Sequence, residues 1–380
     1  MPQVDYFEPL DAEFETQNTQ KCISAALRAA LRDFPTFNLG GNLDATRKIL
    51  FPNARLLIQA IAHWRFSCEE TQDALKLGVK NVKPKEILVH RDSAHFAALS
   101  TQSQNRQYAR QAVENSMVSF ASAADDEEAL YDEASHFRTT RLAYDNAVGL
   151  LLRNCLEDFD TPTDRAFDKP LWSERFEPVV PLEARGNFEE FFQGPSFAFW
   201  REWRQGFIDG QPVEWELQRR IALIDDGIWN AGADAVADKI KQIQARWEIE
   251  RALSDLRNGL IVQAAARHSI GGNNPPERIE DERLSGAITL IWEATEELAD
   301  ALEQENPARE WLQAILVKLK SGLAGLLKWC AGKINLAVGT AVVVGTTKGA
   351  TVVVDAYIAK HPEKIEALIE ALERWLPFLS

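Results

Sequence analysis

The chain has only four cysteines in 380 residues, Cys22, Cys68, Cys155 and Cys330, and no CxxC pair. That spacing excludes a disulfide framework and points to a reducing interior. Cations are also short, with 42 Lys+Arg against 57 Asp+Glu and a formal net charge of −15. A general nucleic-acid coat protein is excluded on that ground, because phosphate binding draws on clustered Lys and Arg. The N-terminus, Met1-Pro2-Gln3-Val4-Asp5, has no basic and then apolar run, so no secretory signal is expected. There is no nucleophile elbow, P-loop or dinucleotide fingerprint, so no catalytic residue and no cofactor can be named. Strand-like runs are scarce, and Ile87-Leu88-Val89 is too short to argue for a sheet.

What remains is helical periodicity. Ile23, Ala26, Leu27, Ala30 and Leu31 mark a helix over 21–33, and Leu56, Ile58, Ile61 and Trp64 mark another over 53–66. Residues 92–157 read as two long, strongly solvated helices that break near Ala124-Asp125-Asp126. The composition then shifts, since ten of the eleven Trp follow residue 170. Ser196 is placed to cap a helix bearing Trp200, Trp203 and Phe207 and closing at Gly210. Asp225 or Asp226 caps the next long one, which carries Trp229, Ala233, Val236 and Ile240 towards His268. Gly271-Gly272-Asn273-Asn274-Pro275-Pro276-Glu277 cannot continue a helix and reads as a linker. The expectation is an all-α, multi-module chain. Residues 1–165 form an N-terminal helical region and 166–268 a Trp-rich module. Residues 269–279 are the linker and 280–380 a C-terminal hairpin with an apolar segment.

Pro170-Leu171-Trp172, Trp200-x-x-Trp203 with Gly210 and Pro212, then Trp229, Gly232 and Val236, and the Asn-Asn-Pro-Pro linker form one pattern. In this pattern the chain resembles a group of uncharacterised bacterial helical proteins, with Gly272 where the pattern has His. The resemblance covers roughly residues 138–280. It implies these module boundaries and no particular chemistry.

Four groups of residues are candidate sites. Trp200, Trp203, Phe207 and Trp229, with nearby carboxylates, read first as core packing and second as a partner groove. His63, Cys68, His90, Asp92 and His95 are of ligand type, but none sits at metal-ligand spacing. No metal is therefore assigned. Ala74 and Gly78, followed by Lys80, Lys83 and Lys85, echo a helix-turn-helix and make DNA binding a minor alternative. Pro84 and the acidic chain oppose it.

The fourth group is C-terminal. Leu284, Ile288, Ile291, Leu298 and Leu302, with Thr295, step by alternating fours and threes, the seam of a helix pair or self-associating coil. Leu336–Val354 holds seven Val, among them Val338, Val342, Val343, Val344, Val352, Val353 and Val354, with Gly345 and Gly349. Eight Val and Leu favour insertion by roughly 2.4–4.8 kcal/mol, and Lys348 opposes it by about 2.5–3.5 kcal/mol. The segment is a marginal transmembrane helix. Lys318, Lys320, Lys328 and Lys333 precede it as a basic anchor. A buried soluble element or a β-hairpin is the competing reading.

Charge divides along the same line. Residues 311–380 hold 8 Lys+Arg and 5 Asp+Glu, so the rest of the chain carries −18 against +3 here. The expected protein is a cytoplasmic, non-enzymatic interaction or scaffold protein. Its C-terminal region self-associates and meets the inner face of a membrane. The alternative is an effector whose C-terminal segment inserts conditionally.

Overall fold

A computed structural model describes residues 8–34, 43–81, 93–126, 149–172, 192–268, 282–304, 306–334 and 361–379. Every regular element among them is helical and none is a strand. The chain divides into two compact units, Met1–Ile240 and Lys241–Ser380. The Gly-Asn-Pro linker and Leu336–Val354 lie outside the described residues.

The first unit opens with α1 (Glu8–Thr16) and α2 (Thr19–Asp33). Asn18 starts α2 because its side chain accepts from the Lys21 N–H at 2.9 Å, satisfying one of the free donors of the first turn. The apolar side of α2, from Cys22 to Leu31, is fully buried. It packs against α5 (Ser93–Ser103) and α6 (Arg106–Asp126). α3 (Leu43–Phe66) packs against α4 (Glu69–Asn81), α5 and the later helix Trp215–Ala222.

Two expectations change here. The region from 92 breaks first at Gln104, whose φ is +53, and Asn105 then caps the next helix by accepting from Gln107 N–H at 2.8 Å. α6 is described as far as Asp126, and the residues beyond the expected break near 124–126 lie outside the described residues. α5 is not solvated, because Ser93, Ala94, His95, Ala97, Ala98, Ser100 and Thr101 are all buried. Its small side chains let neighbouring helices approach from several sides, and Ser100 and Thr101 return their hydroxyls to the Ala97 carbonyl at 2.7 and 2.9 Å.

A further helix, α7, spans 149–160. The Trp-rich stretch gives α8 (Ala198–Ile208), α9 (Trp215–Ala222) and α10 (Asp226–Ala231). Ser196 does not cap α8, since its hydroxyl donates to Asp234 at 2.5 Å and a 3-10 turn precedes the helix. Asp225 does cap α10, accepting from Gly227 N–H at 2.7 Å. Trp229 and Val236 sit on separate helices, because Gly232, at φ +104, ends α10 before α11 (Ala233–His268) begins.

The second unit combines the later part of α11 with α12 (Glu282–Leu302), α13 (Arg309–Ile334) and α14 (Pro362–Trp375). Ile249, Leu253 and Leu256 of α11 meet Ile291, Leu298, Ile315, Leu319, Leu368 and Leu372 in one core. α12 packs against α13, and α13 against α14. Among the described residues, no helix is long and apolar enough to cross a membrane.

Candidate functional site

Trp200, Trp203, Phe207 and Trp229 are not an open groove. All four are buried: Trp200 meets Trp203 and Trp229, Trp203 meets Phe207, and Phe51 of α3 packs on Trp200 and Trp229. Trp203 and Phe207 lie edge-to-face at 5.3 Å, a favourable quadrupole geometry. The Trp203 indole N–H donates to Gln218 Oε1 at 2.8 Å, so its polar edge is satisfied inside the core. Helical spacing put the apolar residues on one side, and α3 covers that side.

The most densely connected polar group joins residues far apart in sequence. Arg28 and Arg32 lie one turn apart on the buried side of α2, and Asp158 faces both from α7. Arg28 Nε donates to Asp158 Oδ1 at 2.6 Å, and Arg32 Nη1 to Oδ2 at 2.5 Å. Their remaining donors grip the chain after α7. Arg28 reaches the carbonyls of Ala166, Lys169 and Pro170 at 2.6–3.0 Å, and Arg32 that of Leu171 at 2.7 Å. The Arg32 guanidinium also lies over Trp172, 5.7 Å from the ring centre. Burial pulls the Arg28 pKa down, and Asp158 only partly offsets it. For Arg32 burial acts the same way, but the attraction of Asp158 prevails and the pKa rises. Both stay charged because each donor has an oxygen to meet. Pro170-Leu171-Trp172 is thus a strip held by two guanidinium groups. The periodicity of α2 did not reveal this, although two Arg at i and i+4 on its apolar side were the available signal.

A second ion pair ties α3 to α10. Arg55 Nη2 donates to Asp226 Oδ1 at 2.5 Å, and the Nδ2 groups of Asn81 and Asn230 bond the same carboxylate at 2.9–3.0 Å. The bond from Arg55 is the main cause that holds the Asp226 carboxyl below its ordinary range.

Of the ligand-type residues, His63 and Cys68 come together, and His90 and Asp92 lie outside the described residues. His63 Nδ1 and Cys68 Sγ both contact Thr71 Oγ1, at 3.1 and 3.3 Å. His95 is buried on α5. Among the described residues, no three His, Cys, Asp or Glu side chains form a metal-binding group. The thiols differ sharply. Burial pushes Cys155 up to about 12 and also raises Cys22. Hydrogen bonds from the Thr71 hydroxyl, then its backbone N–H, pull the partly exposed Cys68 down. Thiolate is the reacting form, so exposure and a low pKa act together. In a Cys330→Ser background, the native chain should react rapidly with a thiol reagent at one position, mapped to Cys68 by mass spectrometry. Equal labelling of Cys155 before unfolding would contradict this.

The region read as a helix-turn-helix gives α4 and α5, while Lys83 and Lys85 lie outside the described residues. Lys80 is exposed on α4. Pro84, where the second helix of that reading would run, also lies outside the described residues.

In the second unit, Ile288, Ile291, Thr295 and Leu298 of the expected self-association seam are buried, and Leu302 packs against the same core. The seam faces the chain's own α13 and lies in the core of the second unit. Leu284 lies on α12 with its side chain outside the described residues. Two anchor lysines are engaged, Lys318 with Glu297 and Lys320 with Glu373, each at 2.5 Å. Lys328 is exposed, and the Lys333 side chain lies outside the described residues. A shallow groove of about 220 Å³ runs between α11 and α14 on a floor of Ala252, Ala367 and Ala371. Its Arg374 is held by Glu248 at 2.8 Å, and Lys364 Nζ donates to the Asp255 carbonyl at 3.3 Å. Five of the seven large hydrophobic residues that stand exposed among the described residues belong to this unit: Leu290, Trp292, Val317, Leu327 and Phe378.

No known protein family, curated protein or solved structure matches this chain.

Proposed function

We infer that this is a non-enzymatic interaction or scaffold protein whose second unit makes the contacts. The observation that carries the reading is the distribution of exposed apolar side chains. The first unit buries Trp200, Trp203, Phe207 and Trp229 and pairs Arg28 and Arg32 with Asp158. The second unit, with 140 of the 380 residues, keeps five of the seven large hydrophobics that are exposed among the described residues. This excess of exposed apolar side chains in one unit supports a partner surface there.

Charge supports a membrane as that partner. Residues 311–380 carry +3 in a chain of −15, and the cytoplasmic face of a membrane is anionic. The Leu336–Val354 segment, at the insertion threshold by composition, supports contact with lipid rather than a committed span. Self-association falls to outer faces of the same unit, since the heptad seam is occupied within the chain.

Hydrogen exchange of the full chain, with and without vesicles of bacterial polar lipid and at two protein concentrations, tests this reading. Slowed exchange concentrated in residues 241–380 is expected. No change under either condition, or a change confined to residues 1–240, would remove the reading.

A further inference from the structure

α13 has two apolar sides. One enters the core of the second unit. The other faces outward along Ala314, Val317, Ser321, Ala324 and Lys328, which recur every three or four residues, with Glu310 at the start of the row and Gln313, Lys320 and Leu327 along one edge. All are exposed, Val317 at 62% and Leu327 at 43%. A helix that needed only to pack in this unit would place charged residues there.

The charge pattern is one-sided. Between Glu310 and Asp355 there is no Asp or Glu, and the only charged residues are five Lys. At the chain's average of 57 acids in 380 residues, these 44 residues would hold six or seven. Two of the five Lys are paired by carboxylates from neighbouring helices, Glu297 and Glu373. Lys328 forms no ion pair among the described residues and stands in the exposed row.

We propose that α13 docks flat on an anionic lipid surface through this face. The claim rests on the reading that the second unit meets a membrane, and it moves the contact from a spanning segment to the side of a helix. The 26 residues of α13 extend roughly 39 Å, long enough to lie along the interface. Val317 and Leu327 enter the boundary between headgroups and acyl chains. Lys328 lays its methylenes on the same boundary and extends its ammonium to lipid phosphates. A second copy of the chain is the weaker occupant. A second copy offers Lys328 no carboxylate of α13 other than Glu310 at the far end of the helix. An anionic membrane supplies the missing negative charge.

Flotation of the full chain tests this, with vesicles of phosphatidylcholine alone and of phosphatidylcholine mixed with phosphatidylserine. Two variants accompany the wild type: Val317→Glu with Leu327→Glu, both on the exposed face, and Val343→Asp with Val353→Asp in the apolar segment. Thermal melting confirms that each is folded. The wild type and the 343/353 variant should float with the mixed vesicles only. The 317/327 variant should partition at least about tenfold less. If the 317/327 variant floats like the wild type while the 343/353 variant does not, the α13 face is wrong and the broader membrane reading stands. Equal flotation of the wild type on both vesicle types removes the anionic requirement and overturns the proposal. If the wild type floats with neither, the membrane contact itself fails. A dimer lost in the 317/327 variant would then assign the face to a second copy.

Discussion

Replacing Asp158 by Asn should lower the stability of the first unit by about 3–5 kcal/mol, because two buried guanidinium groups lose their only common countercharge. For a unit of this size that corresponds to a fall in Tm of roughly 6–20 °C. The asymmetry of the cluster sharpens the expectation. Arg32→Met leaves Asp158 in a one-to-one buried pair with Arg28 and no cation without a countercharge, so it should cost clearly less. Thermal unfolding followed by far-ultraviolet circular dichroism separates the two. Asp158→Asn falling within about 1 kcal/mol of the wild type would mean that backbone carbonyls alone hold the cations.

The second large effect is expected at Gly210. Its φ is +67, and a Cβ there would lie 2.6 Å from Pro170 N and 2.7 Å from the Lys169 carbonyl carbon. Those are backbone atoms held from the other side by Arg28, so they cannot move without loosening its bonds. Gly210→Ala combines left-handed strain with overpacking, and a loss of about 2–4 kcal/mol is expected. Gly286 is the control. It lies inside α12 with open space around it, so Ala there should stabilise by up to about 1 kcal/mol. Equal midpoints for the two variants in urea would show that the strip at 169–170 yields easily.

These two positions show where sequence reading stops. Helices with one clear apolar side were legible, because 3.6-residue spacing survives any partner. The helix at 21–33 and the heptad residues of α12 are of this kind. What a side faces was not legible. The seam of α12 could meet a second chain or the next helix, and spacing is the same for both. α5 was misread because Ser, Thr and Ala serve equally in water and in a tight core, where Ser and Thr can satisfy themselves on the backbone. The break at Gly232 was missed because apolar spacing continues across it. Of the proposed contact face, the lysines were legible, but the exposure of Val317 was not. Val and Leu on a helix predict burial until the neighbours are counted.

The bonds from Arg28 and Arg32 to Asp158 also impose an order in time. They join residues 126–130 positions apart. At about 5–20 residues per second, a ribosome needs roughly 6–26 s to add that length. Throughout this interval the segment 19–33 carries two cations whose carboxylate has not yet been made. The cluster can close only when residue 158 has emerged, which places this part of the core late in synthesis.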